Sequence, residues 1–297
     1  MQAPAHSLRN GYLYALAVVV IWSGFVVVSR MSGKSALTAY DVIALRYMVA
    51  GLAILPLYYR YRPRLNDARK LILTLIGAIG FTLFAFNGFR HAPANHAALI
   101  MQGFLPFAVT VMVYCIHHER PSRARLFGLV FVALGMGSLA IETLSGHNFS
   151  VMGDGLLFCA CLCWALYTVL LKHWNQPPME ATIAVTMLAT AIYLPTYFLF
   201  LPKHILESPW QESLFFAIYQ GIIVAIIQLI FYTRAVSILG ASRLALFTSC
   251  VPVLASLIAV PLLGEPLTTP IIIALVFVVL GAWVGNRRVM GAMVPHK

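Results

Sequence analysis

The sequence predicts an all-α polytopic membrane protein with ten transmembrane helices, arranged as two inverted five-helix repeats. Three observations predict this architecture: an apolar composition, a series of long apolar segments and an internal repeat. Hydrophobic residues occupy 61% of the 297 positions, and charged residues occupy only 10%. Because a water-soluble fold of this length needs a more polar surface, the composition indicates a membrane protein.

Ten segments are long enough to cross a bilayer, since a transmembrane helix needs about 20 mostly apolar residues. We predict these spans at residues 11–32, 39–58, 71–90, 94–114, 124–142, 153–172, 180–201, 211–233, 241–262 and 268–286. The connections between them are short, so almost no sequence remains for a water-soluble domain.

A repeat relates the two halves of the chain at an offset of 146 residues. The sequence LVFVALG at 129–135 returns as LVFVVLG at 275–281. The same offset pairs a proline and a glutamate from each half: Pro106 with Pro252, and Glu119 with Glu265. Such a repeat indicates two copies of one structural unit. Because each copy holds five spans, an odd number, the second copy must cross the membrane in the opposite sense, as in many secondary transporters.

The spans and the repeat divide the chain into five parts. They are a cytoplasmic N-terminus (1–10), the first five-helix repeat (11–142), an outer linker (143–152), the second, inverted repeat (153–286) and a cytoplasmic tail (287–297). With this orientation, 15 of the 20 Lys and Arg residues fall in cytoplasmic segments and four in outer loops. Since positive charge is enriched on the cytoplasmic side, both termini are expected there.

Short motifs in both halves are typical of one known family. They are IWSG at 21–24, LRYM at 45–48, CWALY at 163–167, FYTRAV at 231–236 and LGEPLT at 263–268. With these motifs the chain resembles the EamA group of the drug/metabolite transporter superfamily over nearly its whole length. The resemblance implies a ten-helix transporter of the bacterial inner membrane. A looser similarity to bacterial exporters of aromatic and other neutral amino acids implies substrates of that kind.

The distribution of charge predicts an uncharged cavity. The nine acidic residues all fall at span ends or in loops, and no basic residue lies at the centre of a span. Proton-coupled carriers usually keep a carboxylate near the membrane midplane, and a carrier of phosphorylated solutes or nucleotide sugars needs buried cations to hold phosphate. We therefore expect a neutral or zwitterionic small-molecule substrate, with a phosphorylated or nucleotide-sugar solute as the alternative.

Aromatic and amide side chains are the candidate substrate-binding residues. Trp22 and Trp164 lie near the middle of spans one and six, at positions related by the repeat, so we expect them to face each other across the pseudo-two-fold axis. The cavity's polar and soft walls are expected to come from Asn87, Met101, Gln102 and Gln228. An indole can stack on an aromatic ring or cover an ammonium group. The alternatives are packing for the tryptophans and hydrogen bonds between helices for the amides.

Charged residues at the span ends have structural explanations as well. Arg46 lies about 10 Å from the outer edge of span two, where it could anchor a substrate. Snorkelling, or pairing with a backbone carbonyl or with Asp41, is the favoured interpretation. Glu119 and Glu265 are expected to cap or tether the turn into the last helix of each repeat.

No catalytic residue, metal ion or cofactor is expected. An intramembrane lipid-modifying enzyme or protease is the alternative to a transporter, but it would need a nucleophile, base or acid inside the bilayer, and no His, Asp or Glu lies centrally.

Membrane lipid is an expected partner. Nucleic acid is not, because the net charge of +11 is spread over many short loops. A GxxxG motif at 281–285 predicts close helix packing within the chain or across a dimer, so the protein is expected to be a monomer or a weak homodimer.

Overall fold

A computed structural model of the protein describes residues 5–118, 120–144, 151–239, 244 and 247–291. In this part of the chain the regular secondary structure is helical throughout, with no strand. The long helices are α1 (Ala5–Gly33), α2 (Ala39–Tyr61), α3 (Ala68–His91), α4 (Ala94–His117), α5 (Arg123–Leu144), α6 (Val151–His173), α7 (Pro178–Phe200), α8 (Trp210–Val236), α9 (Val251–Leu263) and α10 (Thr269–Gly291).

Eight of these helices, α1 to α8, are long and apolar enough to cross a membrane, and α9 and α10 contribute the shorter apolar stretches Val251–Leu263 and Thr269–Gly285. Large apolar side chains are exposed along most of them, as expected for surfaces that face lipid: Leu16, Leu52, Phe127, Phe200, Leu214 and Val276 are examples. The all-helical membrane architecture is therefore confirmed. The count of ten spans stays a prediction, since part of predicted span nine lies outside the described residues.

The ends of several helices differ from the predicted spans. Helix α1 begins at Ala5, six residues before the predicted start at 11, so part of the predicted N-terminal segment is helical. Helices α5 and α6 extend into the predicted outer linker, to Leu144 and from Val151. Helix α2 begins as predicted, because Thr38 forms a capping box that satisfies free N–H groups of the first turn.

Three helices contain π-helical segments, which the sequence analysis did not predict. They are Thr74–Gly80 in α3, Leu99–Gly103 in α4 and Tyr219–Ile227 in α8. In a π segment each backbone N–H bonds to the carbonyl five residues earlier, which adds a residue to the turn. Moving the first segment by 146 positions places it at 220–226, inside the third.

The helices form two compact units. Unit 1 contains residues 1–27, 93–151 and 228–297, and unit 2 contains residues 28–92 and 152–227. Each unit therefore combines helices from both predicted sequence repeats. The repeat boundaries at 11–142 and 153–286 stay a prediction, since a unit of contacts and a unit of sequence need not coincide.

Unit 1 is held together by a backbone contact between α5 and α10. A Cβ added to Gly281 would lie 2.6 Å from the carbonyl oxygen of Gly128, and a Cβ added to Gly128 would lie 2.5 Å from the carbonyl oxygen of Gly281. Further along the same pair of helices, Ser138 Oγ donates to the Pro270 carbonyl at 2.8 Å. The predicted GxxxG motif thus packs within the chain, as close glycine contacts allow in membrane helices.

Unit 2 is built around α2, which contacts α7 through a series of polar side chains. Thr190 Oγ1 donates to the Tyr47 carbonyl at 3.0 Å, and the Tyr193 hydroxyl donates to the Tyr40 carbonyl at 3.2 Å. At the start of α2, Tyr197 donates its hydroxyl proton to Asp41 Oδ1 at 2.5 Å. These bonds satisfy buried polar groups between two helices and so fix their register.

We predict that Gly281→Ala lowers the free energy of unfolding by about 1–3 kcal/mol, because the new methyl group meets backbone that cannot move aside cheaply. The matched control is Gly137→Ala in α5, where an added Cβ meets no atom within 4 Å. That change should leave stability equal or slightly raised, because alanine favours helix over glycine. Thermal unfolding in detergent measures both variants. Equal Tm values would contradict the close packing of α5 on α10.

Candidate functional site

Trp22 lies on α1 in unit 1 and is partly exposed. Its indole stacks on the ring of Tyr232 from α8, with ring centroids 5.8 Å apart and planes 29° apart. The neighbouring Ser23 is buried and donates through Oγ to the Val251 carbonyl at 3.3 Å, which joins α1 to the start of α9. The indole is therefore held in place by an aromatic partner while part of it stays accessible.

Gln228 shares the α8 surface that carries Tyr232. Side chains four residues apart on a helix lie on one face, so Gln228 is placed one turn from the ring that stacks on Trp22. The Gln228 side chain is partly exposed. Unit 1 thus brings one predicted indole and one predicted amide to neighbouring helices, with a tyrosine that the sequence analysis did not select.

Met101 and Gln102 both lie in the π segment of α4, also in unit 1. Met101 is 4% exposed, so most of its side chain is occupied by packing. Gln102 is partly exposed. The next residue, Gly103, lies against Val278 of α10, where an added Cβ would be 3.0 Å from the valine methyl group. The close approach at Gly103 sets which part of α10 this segment packs against.

Trp164 lies on α6 in unit 2, within an aromatic cluster that we define as Phe81, Trp164 and Tyr167. The Trp164 ring centroid is 5.2 Å from that of Phe81 on α3 and 5.3 Å from that of Tyr167. Gly77 allows this arrangement, because a Cβ there would overlap the Tyr167 ring. Trp164 remains partly exposed, so the cluster presents aromatic surface.

Asn87 is the other predicted site residue in unit 2. Its Nδ2 donates to the Leu83 carbonyl at 2.8 Å, one turn earlier on the same helix. This local bond already satisfies one donor of the amide. The six candidate residues are thus divided, with four in unit 1 and two in unit 2, and the predicted apposition of Trp22 and Trp164 stays a prediction.

The aromatic partners of the two tryptophans and one buried amide, Gln220, were not predicted from the sequence. Tyr167 could have been found, because it follows Trp164 by three residues within one motif and so lies on the same helix face. Phe81 and Tyr232 carry no such signal, because their contacts depend on the positions of other helices. Gln220 is a second amide in predicted span eight, and the structure places it in a π segment with its side chain fully buried.

Gln220 is the partner of Arg46. Arg46 Nη1 donates to Gln220 Oε1 at 2.9 Å, and Gln220 Nε2 donates in turn to Ser29 Oγ at 3.0 Å. Snorkelling, or pairing with a backbone carbonyl or with Asp41, was the favoured interpretation of Arg46. The structure shows a neutral side-chain amide from α8 as its hydrogen-bond partner, so both expected partners were wrong.

Glu265 tethers the turn before α10, as expected, and the structure shows that it does so by connecting this turn to the start of α4. Its Oε2 accepts a hydrogen bond from the Ala94 backbone N–H at 2.6 Å, at the first residue of α4. Beside it, Asn95 Nδ2 donates to the Pro266 carbonyl at 3.2 Å. A carboxylate at a helix N-terminus is stabilised by free N–H groups and by the helix dipole. Glu265 is therefore a tether, while its predicted counterpart Glu119 lies outside the described residues.

The acidic residues that the structure describes all lie in terminal helical turns or in connections, as the sequence predicted: Asp41, Asp67, Glu142, Asp154, Glu180, Glu207, Glu212 and Glu265. In the same part of the chain no group of three His, Cys, Asp or Glu residues could hold a metal ion. The candidate residues on these helices thus offer aromatic and amide groups rather than carboxylates.

Comparison with known sequences finds a family match in both halves. The sequence model of the EamA-like transporter family matches residues 9–140 and 151–287. The chain is 27% identical over 225 residues to the uncharacterized transporter YyaM of Bacillus subtilis (strain 168), which covers 73% of this chain and 72% of that protein. It is 25% identical over 298 residues to a Salmonella typhimurium protein named a probable amino-acid metabolite efflux pump, covering 94% and 95% of the two chains.

Comparison with solved structures identifies a shared fold. One protein crystal structure superimposes on the chain with a TM-score of 0.65 and covers 96% of this chain and 99% of the solved one. The two sequences are 19% identical, so the similarity concerns the fold alone.

Proposed function

Because the chain belongs to the EamA-like transporter family and is a multi-pass membrane transporter, we propose that it moves small neutral or zwitterionic metabolites as an exporter or facilitator. The proposed substrates are amino acids, including aromatic ones. Similarity over 94% of the chain to a protein named a probable amino-acid metabolite efflux pump supports this substrate class. The family and the names of the relatives indicate a transporter rather than an enzyme.

The observation that carries the proposal is a partly exposed indole with an aromatic partner in each unit. In unit 1 Trp22 stacks on Tyr232, and in unit 2 Trp164 contacts Phe81 and Tyr167. Such surfaces suit an aromatic side chain or an ammonium group. The carboxylates that the structure describes lie at helix ends, so these indoles serve neutral or zwitterionic solutes better than cations that need a counter-ion.

The proposed mechanism is alternating access around one central cavity. The residues proposed to line this cavity are Trp22, Asn87, Met101, Gln102, Trp164 and Gln228. The indoles would supply shape and stacking, and the amides would supply hydrogen bonds that a zwitterion needs in a dry site.

The proposed architecture is ten spans in two inverted repeats, with both termini in the cytoplasm of a bacterial cell and the protein in the inner membrane. Two observations support the repeats: the family model matches the chain twice, and the π segments of α3 and α8 are related by the 146-residue offset of the sequence. The excess of Lys and Arg in the predicted cytoplasmic segments supports the orientation.

We predict that the purified protein in liposomes takes up labelled phenylalanine and threonine faster than protein-free liposomes, and that both are recovered unaltered. A panel with nucleosides and phosphorylated sugars, run with and without a pH gradient, identifies the substrate class and any coupling to protons. Uptake of phosphorylated sugars alone would contradict the proposed substrates. Chemical alteration of a solute would contradict the transporter assignment.

We predict that Trp164→Ala weakens transport of phenylalanine several-fold more than transport of threonine, because losing one stacking wall costs about 1 kcal/mol beyond lost area. Both substrates are compared in one liposome preparation with matched protein content. The control is Trp210→Ala, which removes an indole that is 69% exposed and should change neither rate. Equal losses for both substrates would indicate a packing role, and no loss would remove Trp164 from the site.

We predict that a single cysteine introduced into the 143–152 linker reacts with a membrane-impermeant maleimide added outside intact cells, in a background with Cys115, Cys159, Cys161, Cys163 and Cys250 replaced. A cysteine in the 59–70 connection should react only after the membrane is permeabilised, because the positive-inside rule places that basic segment in the cytoplasm. The opposite labelling pattern would reverse the proposed orientation.

A further inference from the structure

Arg46 carries a positive charge inside α2 that no carboxylate of the described chain neutralises. Among the described residues, Arg46 makes one hydrogen bond, from Nη1 to Gln220 Oε1 at 2.9 Å. In the described part of the chain, the Nε and Nη2 groups of Arg46 have no acceptor. The residue as a whole is partly exposed, and these two groups are the donors that remain for a solute.

The bond to Gln220 fixes the position of Arg46 without neutralising its charge. Gln220 and Ser29 are both fully buried, and the Gln220 amide is oriented because its Nε2 donates to Ser29 Oγ at 3.0 Å. The amide oxygen must then point toward Arg46. Gln220 accepts a hydrogen bond from one of the five N–H donors of Arg46. Because the amide is neutral, this bond does not compensate the positive charge of Arg46.

Asp41, the acidic residue nearest in sequence, is fully engaged elsewhere. It accepts hydrogen bonds from the Tyr197 hydroxyl at 2.5 Å, from Thr38 Oγ1 at 2.6 Å and from the His204 backbone N–H at 3.2 Å. These donors are neutral, and together they occupy both carboxylate oxygens of Asp41 at the start of α2. It does not serve as the counter-ion of Arg46.

We propose that Arg46 binds the carboxylate group of the transported solute, an assignment that rests on the proposed amino-acid transport. The Nε and Nη2 groups form the planar edge that takes two carboxylate oxygens at once, which lysine cannot do. An ionisable residue within a membrane helix is costly to bury and commonly marks a substrate or ion pathway.

The same unit supplies a surface for the rest of the solute. Beside Arg46, the Tyr47 hydroxyl and Thr82 Oγ1 are 3.1 Å apart and join α2 to α3. The residue before Thr82 on α3 is Phe81, whose ring contacts Trp164. Arg46 and the aromatic cluster thus lie on three helices of unit 2, α2, α3 and α6, of which α2 and α3 are joined by this bond.

The test compares a carboxylate with its uncharged analogue. Labelled phenylalanine uptake into proteoliposomes is competed with phenylalanine, with phenylalaninamide and with a phosphorylated sugar. Wild-type protein should prefer phenylalanine to its amide roughly tenfold to a hundredfold, the range expected for a charge-assisted hydrogen bond. Arg46→Gln should abolish this preference by weakening phenylalanine binding while changing phenylalaninamide binding less than about twofold.

A second variant keeps the fold while removing the available charge. Gln220→Glu places a carboxylate where Arg46 already donates, so it should hold the guanidinium in an ion pair and reduce the preference for phenylalanine by about tenfold or more. If Arg46 only braces α2 against α8, the same variant should transport normally. The matched control is Arg60→Gln, at the exposed cytoplasmic end of α2, which should retain wild-type selectivity.

The outcomes separate this assignment from the proposed function. Wild-type uptake of phenylalanine with equal losses for acid and amide in Arg46→Gln, or normal selectivity in Gln220→Glu, overturns the assignment alone. Stronger competition by the phosphorylated sugar than by phenylalanine overturns it in favour of phosphate binding. Absence of amino-acid uptake by wild-type protein overturns the proposed function, and the assignment with it. Loss of acid-over-amide preference in both variants supports the assignment.

Discussion

Peptide groups inside a lipid bilayer have no water to bond, so each must find its partner within the protein. This constraint explains why the described chain is helical, and its three π segments redirect backbone bonds to another carbonyl without interrupting the helix. The segments in α3 and α8 each carry a glycine that meets another helix, Gly77 at Tyr167 and Gly221 at Val49. The segment in α8 also presents Gln220 to Arg46. Local changes in helical geometry thus position both the aromatic cluster and the guanidinium of unit 2.

The same lack of water decides how charges are held. A buried charge needs hydrogen bonds or a counter-ion, and unit 2 uses neutral partners for both Asp41 and Arg46 in the first half of α2. Asp41 accepts from hydroxyl and backbone donors, while Arg46 donates to an amide. Had the two formed a pair, the site would carry no net charge. Separate neutral partners leave the Arg46 charge without a counter-ion among the described residues and keep Asp41 as part of the helix cap.

Much of the fold could be predicted because apolar length and repeated sequence act locally. The capping box at Thr38 involves residues three apart in the chain, and the 281–285 motif marks a close packing site by its glycine spacing alone, although its partner Gly128 is distant in sequence. The π segments could not be predicted, because the shift to bonds five residues apart leaves no mark in the apolar pattern. The same limit applies to the site. The two tryptophans are identifiable by depth, but the Phe81 contact and the bond from Arg46 to Gln220, 174 residues away, depend on how helices pack.

A carrier must bind its solute strongly enough to select it and weakly enough to release it. An arginine already paired with a carboxylate of the protein would not discriminate between solutes. A guanidinium with no partner in a dry site would be too costly to bury. The Gln220 amide gives an intermediate case. It offsets part of the desolvation cost of Arg46 and leaves the Nε and Nη2 groups for a solute. Since a buried ion pair gains little net free energy after desolvation, selection for a carboxylate need not bring tight binding. The aromatic cluster can then add preference through area and stacking, so that charge and shape are recognised by different side chains of one unit.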